Sequence, residues 1–458
     1  YAAYGIFRRI MKKLKKEIWF THARKIAIGF FIIIIAGTFL LTLPISGRSG
    51  EWTNPVDALF TATSATCVTG LAVFDTYQYW SVFGQIVIIT LIQIGGLGFI
   101  TFGVGFSIFL KQRIGLARRN LIQESVSALK LAGVVKLVRK IIIGTAIFEG
   151  IGAVVLAIRF IPKMGLAVGI YNAVFHSISA FCNAGFDLMG RYEEYSSLTA
   201  YSGDIVINIT IMLLIIIGGL GFIVWDDIWH NRLKFRKYSL HSKIVIISTT
   251  VLVFGSAILF GIFEHNNTMA GMNPVETVLA SLFASVTTRT AGFNTIDLGA
   301  MTQSSKLLTD VLMFIGGSPG STAGGIKTTS IVVMICYIGA NLNGIQGVNI
   351  LGRRISEEDV KKASVVMGIN MGIAVVALIA ITAVQPFNMD DLLLEVFSAI
   401  GTVGLSTGLT RQLTTFSKFV IIFLMYCGRI GSTTFATSFI GNKRRAPVQY
   451  PVEHINVG

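Results

Sequence analysis

The segment of residues 314–330, FIGGSPGSTAGGIKTTS, combines glycines, hydroxyl side chains and a lysine in the manner of a phosphate-binding loop. The nucleotide pattern requires G-x-x-x-x-G followed at once by Lys and then Ser or Thr. Gly320 and Gly325 have the required spacing, but Ile326 separates Gly325 from Lys327. Apolar segments of membrane length flank this stretch, so the strand–loop–helix context is also missing. The stretch is better explained as irregular backbone inside a membrane helix, which is tolerated where it lines a water-filled cavity.

A second glycine pattern recurs four times. It reads SATCVTGL at 64–71, SAFCNAGF at 179–186, VTTRTAGF at 286–293 and SAIGTVGL at 398–405. The aligned glycines lie 107 to 115 residues apart and are Gly70, Gly185, Gly292 and Gly404. Each copy follows an apolar stretch that is too short to span a bilayer; these stretches begin near Asn54, Tyr171, Asn273 and Asp390. Such repetition indicates four structural units of one kind.

The four glycine segments are suited to binding a monovalent cation through backbone oxygens. Glycine adopts positive φ, which lets carbonyls turn toward a shared axis, and rings of carbonyls can replace the hydration shell of the ion. The C-terminal, negative ends of the preceding half-helices would point to the same centre. A catalytic metal site is not indicated, because the six His form no cluster with zinc spacing. The predicted filter comprises Thr66, Cys67, Val68, Thr69, Gly70, Phe181, Cys182, Asn183, Ala184, Gly185, Thr288, Arg289, Thr290, Ala291, Gly292, Ile400, Gly401, Thr402, Val403 and Gly404.

Long apolar segments must position these loops. Hydrophobic residues make up 53% of the chain and charged residues 13%, which is too little charge to cover a soluble surface. Segments close to span length occur at 26–43, 82–110, 141–158, 205–224, 244–263, 364–384 and 418–440. We therefore expect an all-α polytopic membrane protein with four parallel helix–pore-loop–helix repeats around one central pore. This arrangement has eight transmembrane helices and four re-entrant half-helices.

The predicted divisions follow the apolar pattern and the charges. A basic amphipathic N-terminus (1–25) precedes repeats at 26–111, 134–230, 240–338 and 360–440, and a tail (441–458) follows. The net charge of +15 is concentrated in loops and termini rather than in a nucleic-acid surface. Acidic residues outnumber basic ones at 187–204 and 385–395. The positive-inside rule then places both termini in the cytoplasm.

The motifs FCNAGF, TTRTAGFNT, GTVGLSTG and GGSPGSTAGGIKTT resemble those of the Trk/Ktr/HKT superfamily of potassium transporters, over about residues 26–440. The resemblance implies the membrane subunit of a bacterial Trk- or Ktr-type system, which takes up K⁺ across the plasma membrane and binds it at filter carbonyls. It implies a homodimer on a cytoplasmic ring of nucleotide-binding, RCK-type regulatory subunits. No covalent cofactor is implied, and Na⁺ activation is left open. Some Na⁺-passing relatives carry serine at the first filter glycine, so Gly70 implies K⁺ selectivity.

The resemblance also assigns roles below the filter. It makes a gating loop of Gly316, Gly317, Ser318, Pro319, Gly320, Ser321, Thr322, Ala323, Gly324 and Gly325, which interrupts the inner helix of the third repeat. It places a positive pore barrier in the last span, at Arg429, to which Lys327 could contribute. From the residues alone, Arg429 could instead pair with an acidic side chain or with carbonyls inside the bundle, since a charge there seldom faces lipid.

Other residues have simpler explanations. Cys67 and Cys182 share one repeat position and are interpreted as small side chains that support the filter. Arg289 is expected to hold filter carbonyls by hydrogen bonds, and His176 is expected to be packed. The motif IGGLGF, at 94–99 and 217–222, is interpreted as close packing through small residues.

Two rival functions differ in what they require. A Na⁺- or H⁺-coupled carrier needs acidic residues within the membrane, and Glu149 is the candidate at mid-span. A membrane enzyme or receptor needs a catalytic or ligand constellation that the sequence does not display. We therefore expect a channel-like transporter and not an enzyme.

Overall fold

The computed structural model describes residues 22–110, 133–232 and 234–431, with residues 115, 119, 120, 123, 451 and 453 in isolation. The predicted amphipathic N-terminus, apart from 22–25, and most of the 441–458 tail lie outside the described residues. The helices in chain order are α1 (His22–Thr42), α2 (Pro55–Cys67), α3 (Thr76–Tyr79), α4 (Val82–Leu97), α5 (Phe99–Phe109), α6 (Val134–Met164), α7 (Leu166–Phe181), α8 (Ile205–Gly219), α9 (Phe222–Asn231), α10 (Leu240–Glu264), α11 (Pro274–Thr287), α12 (Gln303–Phe314), α13 (Thr328–Leu342), α14 (Glu357–Thr382), α15 (Met389–Gly401) and α16 (Thr415–Ile430). One short antiparallel hairpin, β1 (Asn349–Ile350) and β2 (Arg353–Arg354), precedes α14.

Four helices of the described chain, α1, α6, α10 and α14, are long and apolar enough to cross a membrane. The pair α8 and α9 is a fifth candidate, although it is bent by 96°. Length and composition therefore identify four or five spans among the described residues. The arrangement of eight spans and four half-helices stays a prediction.

The second apolar segment of each predicted repeat is broken or short. Gly98 (φ 79°) separates α4 from α5, and Gly221 (φ 96°) starts α9 after the bend. Residues 315–327 separate α12 from α13. From the sequence, a break is expected only in the third repeat, because the IGGLGF motifs are explained by close helix packing alone. The structure corrects this, since a glycine with positive φ ends the helix in the first two repeats as well.

The four short helices α2, α7, α11 and α15 end at the four glycine segments. The Asn54 side chain caps α2, accepting from the Val56 N–H at 2.9 Å, and Asn273 with Glu276 forms a capping box on α11. Pro occupies the first turn of both helices. The start of α7 was predicted near Tyr171 and lies at Leu166, because Gly165 (φ 83°) ends α6 just before it.

The outer surface is far more apolar than that of a soluble protein. Many apolar side chains on the long helices face outward, including Phe31 (56% exposed), Ile258 (65%) and Val376 (67%). The short helices are enclosed instead, and Phe60, Phe181 and Phe283 on three of them are almost fully buried. An apolar outer surface around a buried interior is what a lipid environment favours.

Candidate functional site

The four glycine segments share one backbone conformation. The residue two positions before each glycine has a left-handed φ, and so does the glycine itself; the non-glycine residues are Val68 (58°), Asn183 (60°), Thr290 (66°) and Thr402 (52°). The aligned glycines have φ of 97°, 71°, 82° and 95° in chain order. Left-handed φ is unusual for β-branched residues, so its recurrence at Val68, Thr290 and Thr402 marks a shape that the surroundings impose.

The four glycines meet at one point. A Cβ on Gly70 would lie 2.5 Å from Ala184 O and 3.3 Å from the Cα atoms of Gly185 and Gly404. A Cβ on Gly185 would lie 2.7 Å from Ala291 O, and one on Gly292 would lie 2.5 Å from Val403 O. A Cβ on Gly404 would collide with Thr69 O, which closes the ring. Each glycine therefore faces the carbonyl that precedes the next glycine in chain order, and a side chain at any of the four would enter the ring.

The N–H groups of these segments are directed back into the short helices. In every copy, the amide just before the glycine donates to a carbonyl four or five residues earlier, at 2.8–2.9 Å: Thr69 to Ser64, Ala184 to Ser179, Ala291 to Thr287 and Val403 to Ser398. Hydroxyls add further support, since Ser64 and Ser398 Oγ accept from the N–H of Gly70 and Gly404 at 3.1 and 3.0 Å. Because these N–H groups bond within their own segments, the groups that face the ring are carbonyl oxygens. The negative ends of the four short helices point to the same place.

A cavity of about 180 Å³ opens on one side of the ring and is lined by all four glycines. Charged residues at its wall include Asp187, Asp297 and Arg411. The Arg411 guanidinium stacks over the Tyr195 ring at 3.7 Å. Burial raises the pKa of the Asp187 carboxyl to about 7, and the charge of nearby Asp75 adds to the rise.

Residues 315–327 lie on the opposite side of the ring. Ile315 and Ile326 pair as a parallel bridge, so the segment leaves and returns at nearly the same place. Thr322 Oγ1 lies 3.2 Å from Phe181 O, and a Cβ on Gly325 would lie 3.0 Å from Gly401 O. The Lys327 ammonium donates to Ala323 O at 2.8 Å and Gly324 O at 3.2 Å, so it folds onto its own segment.

The broken helix α8–α9 holds this segment in place. The Ser318 and Thr322 N–H groups each donate at 3.2 Å to Gly219 O and Gly218 O, which the break leaves free. In return, the Phe222 N–H donates to Gly320 O at 2.8 Å. The segment therefore satisfies backbone groups that the helix break exposes, as buried backbone requires.

Arg429 joins three elements. Its guanidinium donates to Thr322 O in the segment, and to Gly95 O at 2.5 Å and Gly96 O at 3.0 Å near the end of α4. Of the alternatives left open for this residue, pairing with carbonyls inside the bundle is present. Among the described residues, none of the ion pairs involves Arg429.

A family model described as "TrkH: Cation transport protein" matches residues 11–444. The chain belongs to the TrkH cation transport family. It is similar to the potassium/sodium uptake protein NtpJ of Enterococcus hirae, with 42% identity over 98% of this chain and 100% of the relative. It is also similar to the Ktr system potassium uptake protein B of Bacillus subtilis, with 41% identity over 97% of this chain and 99% of the relative.

The fold of this TrkH-family chain is similar to the crystal structure of the potassium transporter TrkH from Vibrio parahaemolyticus. The TM-score is 0.69 at 17% sequence identity, covering 90% of this chain and 84% of that chain. The resemblance to the Trk/Ktr/HKT superfamily is thereby confirmed, and the chain is a multi-pass membrane protein of a cation transporter family.

Among the predicted site residues of the TrkH-family chain, Arg289 differs from expectation. Arg289 Nε is buried without a hydrogen-bond partner among the described residues, so at this atom the expected bond to a filter carbonyl is missing. The amide of Asn183 contacts a carbonyl of that loop instead, with Nδ2 donating to Arg289 O at 3.2 Å. His176 is packed as expected, fully buried, with Nδ1 2.7 Å from Asn172 O. Cys67 and Cys182 are buried, and no group of three metal-ligating side chains occurs within the described ranges.

Three functional features were missed by sequence reasoning. The side chain of Asn183 was treated only as part of a backbone filter, although Asn stands where the other copies have Val or Thr. Acidic residues inside the bundle were expected only at Glu149, which is half-buried, whereas Glu264, Asp310 and Glu395 are buried. The third feature, the contact of α8–α9 with residues 318–322, left one signal in the sequence, namely the second IGGLGF motif.

Proposed function

We propose that this chain conducts K⁺ across the bacterial plasma membrane, down its electrochemical gradient, through a pore formed by four parallel repeats. In this proposal the eight predicted spans surround four half-helices, both termini are cytoplasmic, and the four glycine segments form the selectivity filter. Rings of carbonyls matched to a dehydrated monovalent cation select such ions without an acidic ligand. K⁺ is a transported ion here and not a resident cofactor.

The observation that carries this proposal is the closed ring of glycines. Each glycine faces the carbonyl before the next one, and any Cβ would enter the ring. Four separate segments of the chain, more than 100 residues apart, adopt one unusual backbone shape and converge. A purely structural explanation would not require four such conformations at a single point beside a cavity of about 180 Å³.

Residues 316–325 are proposed to be the gate. Their contacts with Phe181 O and their approach to Gly401 O support a seated loop that obstructs the ring, and Arg429 and Lys327 would add positive charge there. The positive barrier and the carbonyl-bonding role of Arg429 are then compatible, since its contacts hold the loop while its charge opposes a cation. Withdrawal of the loop must break its bonds to Gly218 O, Gly219 O and Phe222 N–H.

A cytoplasmic partner is proposed to drive that withdrawal. The Bacillus subtilis relative is named as a component of a Ktr system, which supports a multi-component assembly. We propose that this chain forms a homodimer on a ring of RCK-type subunits and that nucleotide binds to the ring. The isolated chain should bind ATP negligibly, because the Lys327 ammonium is engaged by loop carbonyls.

The test is ion flux into proteoliposomes that contain the purified chain. Uptake of K⁺, Rb⁺, Na⁺ and Li⁺ is measured with and without an imposed gradient of Na⁺ or protons. The proposal predicts that K⁺ flux and Rb⁺ flux each follow that ion's own electrochemical potential alone. K⁺ accumulation against that potential, driven by Na⁺ or protons, would refute a channel-like mechanism.

A coupled carrier is the second candidate, and Glu149 is the observation in its favour. Its carboxylate accepts from Gln93 Nε2 at 3.1 Å and lies 3.9 Å from Cys182 Sγ, next to the second glycine segment. A Glu149→Gln variant separates the two candidates. A carrier would lose its dependence on Na⁺ or protons while keeping K⁺ binding, whereas a channel has no such dependence to lose. The same measurements with added Na⁺ decide whether Na⁺ activates transport.

A further inference from the structure

One arginine stands at the wall of the cavity that opens onto the ring. The cavity of about 180 Å³ is lined by the four glycines of the ring and also by Arg411. A sphere of that volume is about 7 Å across, so a charge at its wall lies within roughly 10 Å of a cation inside it, about one Debye length at 0.1 M salt. The charge of the Arg411 guanidinium therefore acts on any cation that enters the cavity.

The Arg411 side chain is held at the wall by an aromatic ring. Its guanidinium lies 3.7 Å from the centre of the Tyr195 ring. The Tyr195 N–H donates to Asp75 Oδ2 at 3.0 Å, and the Tyr195 hydroxyl donates to Val73 O at 3.2 Å. Tyr195 belongs to the second predicted repeat, its two partners belong to the first, and Arg411 belongs to the fourth. Three repeats together therefore fix the position of this positive charge.

The same wall carries three carboxylates, those of Asp75, Asp187 and Asp297. Each accepts a backbone N–H at 2.8–2.9 Å, and among the described residues no ion pair joins any of them to Arg411. Asp187 is only partly ionised near neutral pH, because burial raises its pKa to about 7. Carboxylate and carbonyl oxygens are the ligands that hard divalent cations prefer. Without an opposing charge, the cavity would attract divalent cations more strongly than K⁺.

We propose that Arg411 is a specificity-determining residue that opposes the entry of divalent cations into the cavity and so keeps the ring accessible to K⁺. This inference rests on the proposed function, because it takes the cavity as the entrance to the ring. The energy of an ion near a fixed charge is proportional to the charge of the ion, so Arg411 opposes a divalent cation twice as strongly as K⁺. The carboxylates attract both kinds of ion, and the guanidinium limits how far the divalent one accumulates.

The expected size of the effect follows from Coulomb's law. At a separation of roughly 10 Å and an effective dielectric constant of about 50, removal of the Arg411 charge raises K⁺ occupancy of the cavity about threefold and divalent occupancy about tenfold. The second factor is the square of the first because the divalent ion carries twice the charge. This relation identifies a charge effect, since a change in the shape of the ring has no reason to follow it.

The experiment measures K⁺ flux into proteoliposomes that contain the full chain, at K⁺ concentrations well below KM and with Ca²⁺ on both sides of the membrane. Arg411→Gln should lower the Ca²⁺ concentration for half-block about tenfold and the KM for K⁺ about threefold. Choline chloride at about 0.5 M should reduce both changes, because the Debye length falls to about 4 Å. Arg411→Lys keeps the charge and should be blocked like wild type.

Two further variants complete the design. Arg411→Met is a second neutral variant, whose apolar side chain can still cover the Tyr195 ring, and it should behave like Arg411→Gln. Arg48→Gln is the matched control, because the Arg48 guanidinium also stacks over a tyrosine, 4.3 Å from the centre of the Tyr77 ring, but Arg48 lies outside the lining of the cavity. Its half-blocking Ca²⁺ concentration should equal that of wild type.

The inference is overturned if both neutral variants are blocked by Ca²⁺ like wild type, or if the change in block is no larger than the change in KM. It is also overturned if Arg411→Lys is as sensitive to Ca²⁺ as Arg411→Gln, because the charge is then not the cause.

Failure of the proposed function gives a different result, namely no K⁺-selective flux in the wild type. Binding of Mn²⁺ to the purified chain, measured from the EPR signal of free Mn²⁺, then decides the charge effect without flux. Arg411→Gln should bind Mn²⁺ about tenfold more tightly than wild type or Arg48→Gln, and equal binding by all three would overturn the inference.

Discussion

Arg429 offers the sharpest test of how the loop is held. Its guanidinium makes one bond to the loop, at Thr322 O, and two to α4, at Gly95 O and Gly96 O. The two bonds to α4 fix the side chain, so the bond to Thr322 directly favours the seated loop. A hydrogen bond to a charged group contributes about 1.5–3 kcal/mol. Loss of about 2 kcal/mol shifts the ratio of seated to withdrawn loop about 30-fold.

We therefore expect Arg429→Gln to raise K⁺ flux of the isolated chain up to about 30-fold, as long as the withdrawn state remains the minor one. The assay is K⁺ flux in proteoliposomes without regulatory partner or nucleotide, alongside the unfolding temperature in detergent. Arg429→Lys separates charge from geometry, because lysine keeps the charge but cannot reproduce the forked donor pattern. If Arg429→Lys also raises flux, the bonds hold the loop; if only the neutral variant does, charge repulsion dominates.

The control is Arg159→Gln, which removes an ion pair with Asp204 at the start of α8 (2.7 Å), far along the chain from the loop. Its flux should equal that of wild type. Arg429 does not hold the loop if Arg429→Gln is as stable as wild type and its flux is unchanged. A variant that expresses poorly and loses thermal stability would instead assign Arg429 a structural role, as expected when a buried charge leaves its partners unsatisfied.

Three further predictions concern the ring, the loop and the cavity. Gly→Ser at Gly70, Gly185, Gly292 or Gly404 should lower K⁺ over Na⁺ selectivity in paired uptake assays while the protein still folds, because each Cβ enters the ring; unchanged selectivity in all four variants would exclude the fourfold filter. Shortening the loop within 316–325 should give high K⁺ flux that no longer responds to partner or nucleotide. Because Ile315 and Ile326 already pair with each other, such a deletion should leave the flanking helices in place. If the shortened protein shows regulated, wild-type flux, the loop is not the gate. Because burial raises the pKa of Asp187 from 3.8 to about 7, the folded state binds this proton more tightly than the unfolded state. This contribution to the free energy of unfolding is present at acid pH and is lost as pH rises to about 7. The unfolding temperature of Asp187→Asn should therefore fall less steeply than that of wild type over this pH range. If it falls equally steeply, the raised pKa of Asp187 is contradicted.

The sequence by itself determined the class of molecule and the positions of the four glycine segments that converge. Apolar length and low charge are properties of composition, so a membrane protein followed without any contact information. The four glycine segments were recognisable because a left-handed backbone at a crowded point excludes a Cβ. This constraint requires glycine at one fixed position of each segment, so it is visible in the sequence. The loop at 316–325 was recognisable for a related reason, since Gly, Ser and Pro disfavour helix at membrane depth.

Tertiary structure decided which groups meet. Arg429 could have paired with an acidic side chain or with carbonyls, and only the approach of Thr322, Gly95 and Gly96 selected carbonyls. The helix breaks at Gly98 and Gly221 could not be predicted from the sequence. Glycine is favoured both by close helix packing and by a helix end with a left-handed φ, and the sequence does not distinguish the two. The contact of Thr322 with Asn183 joins residues 139 positions apart. The sequence gives no sign of this contact, because each residue type has a local explanation. Asn183 suits a left-handed φ, and Thr322 suits a loop rich in small polar residues. Only the folded chain brings the two side chains together.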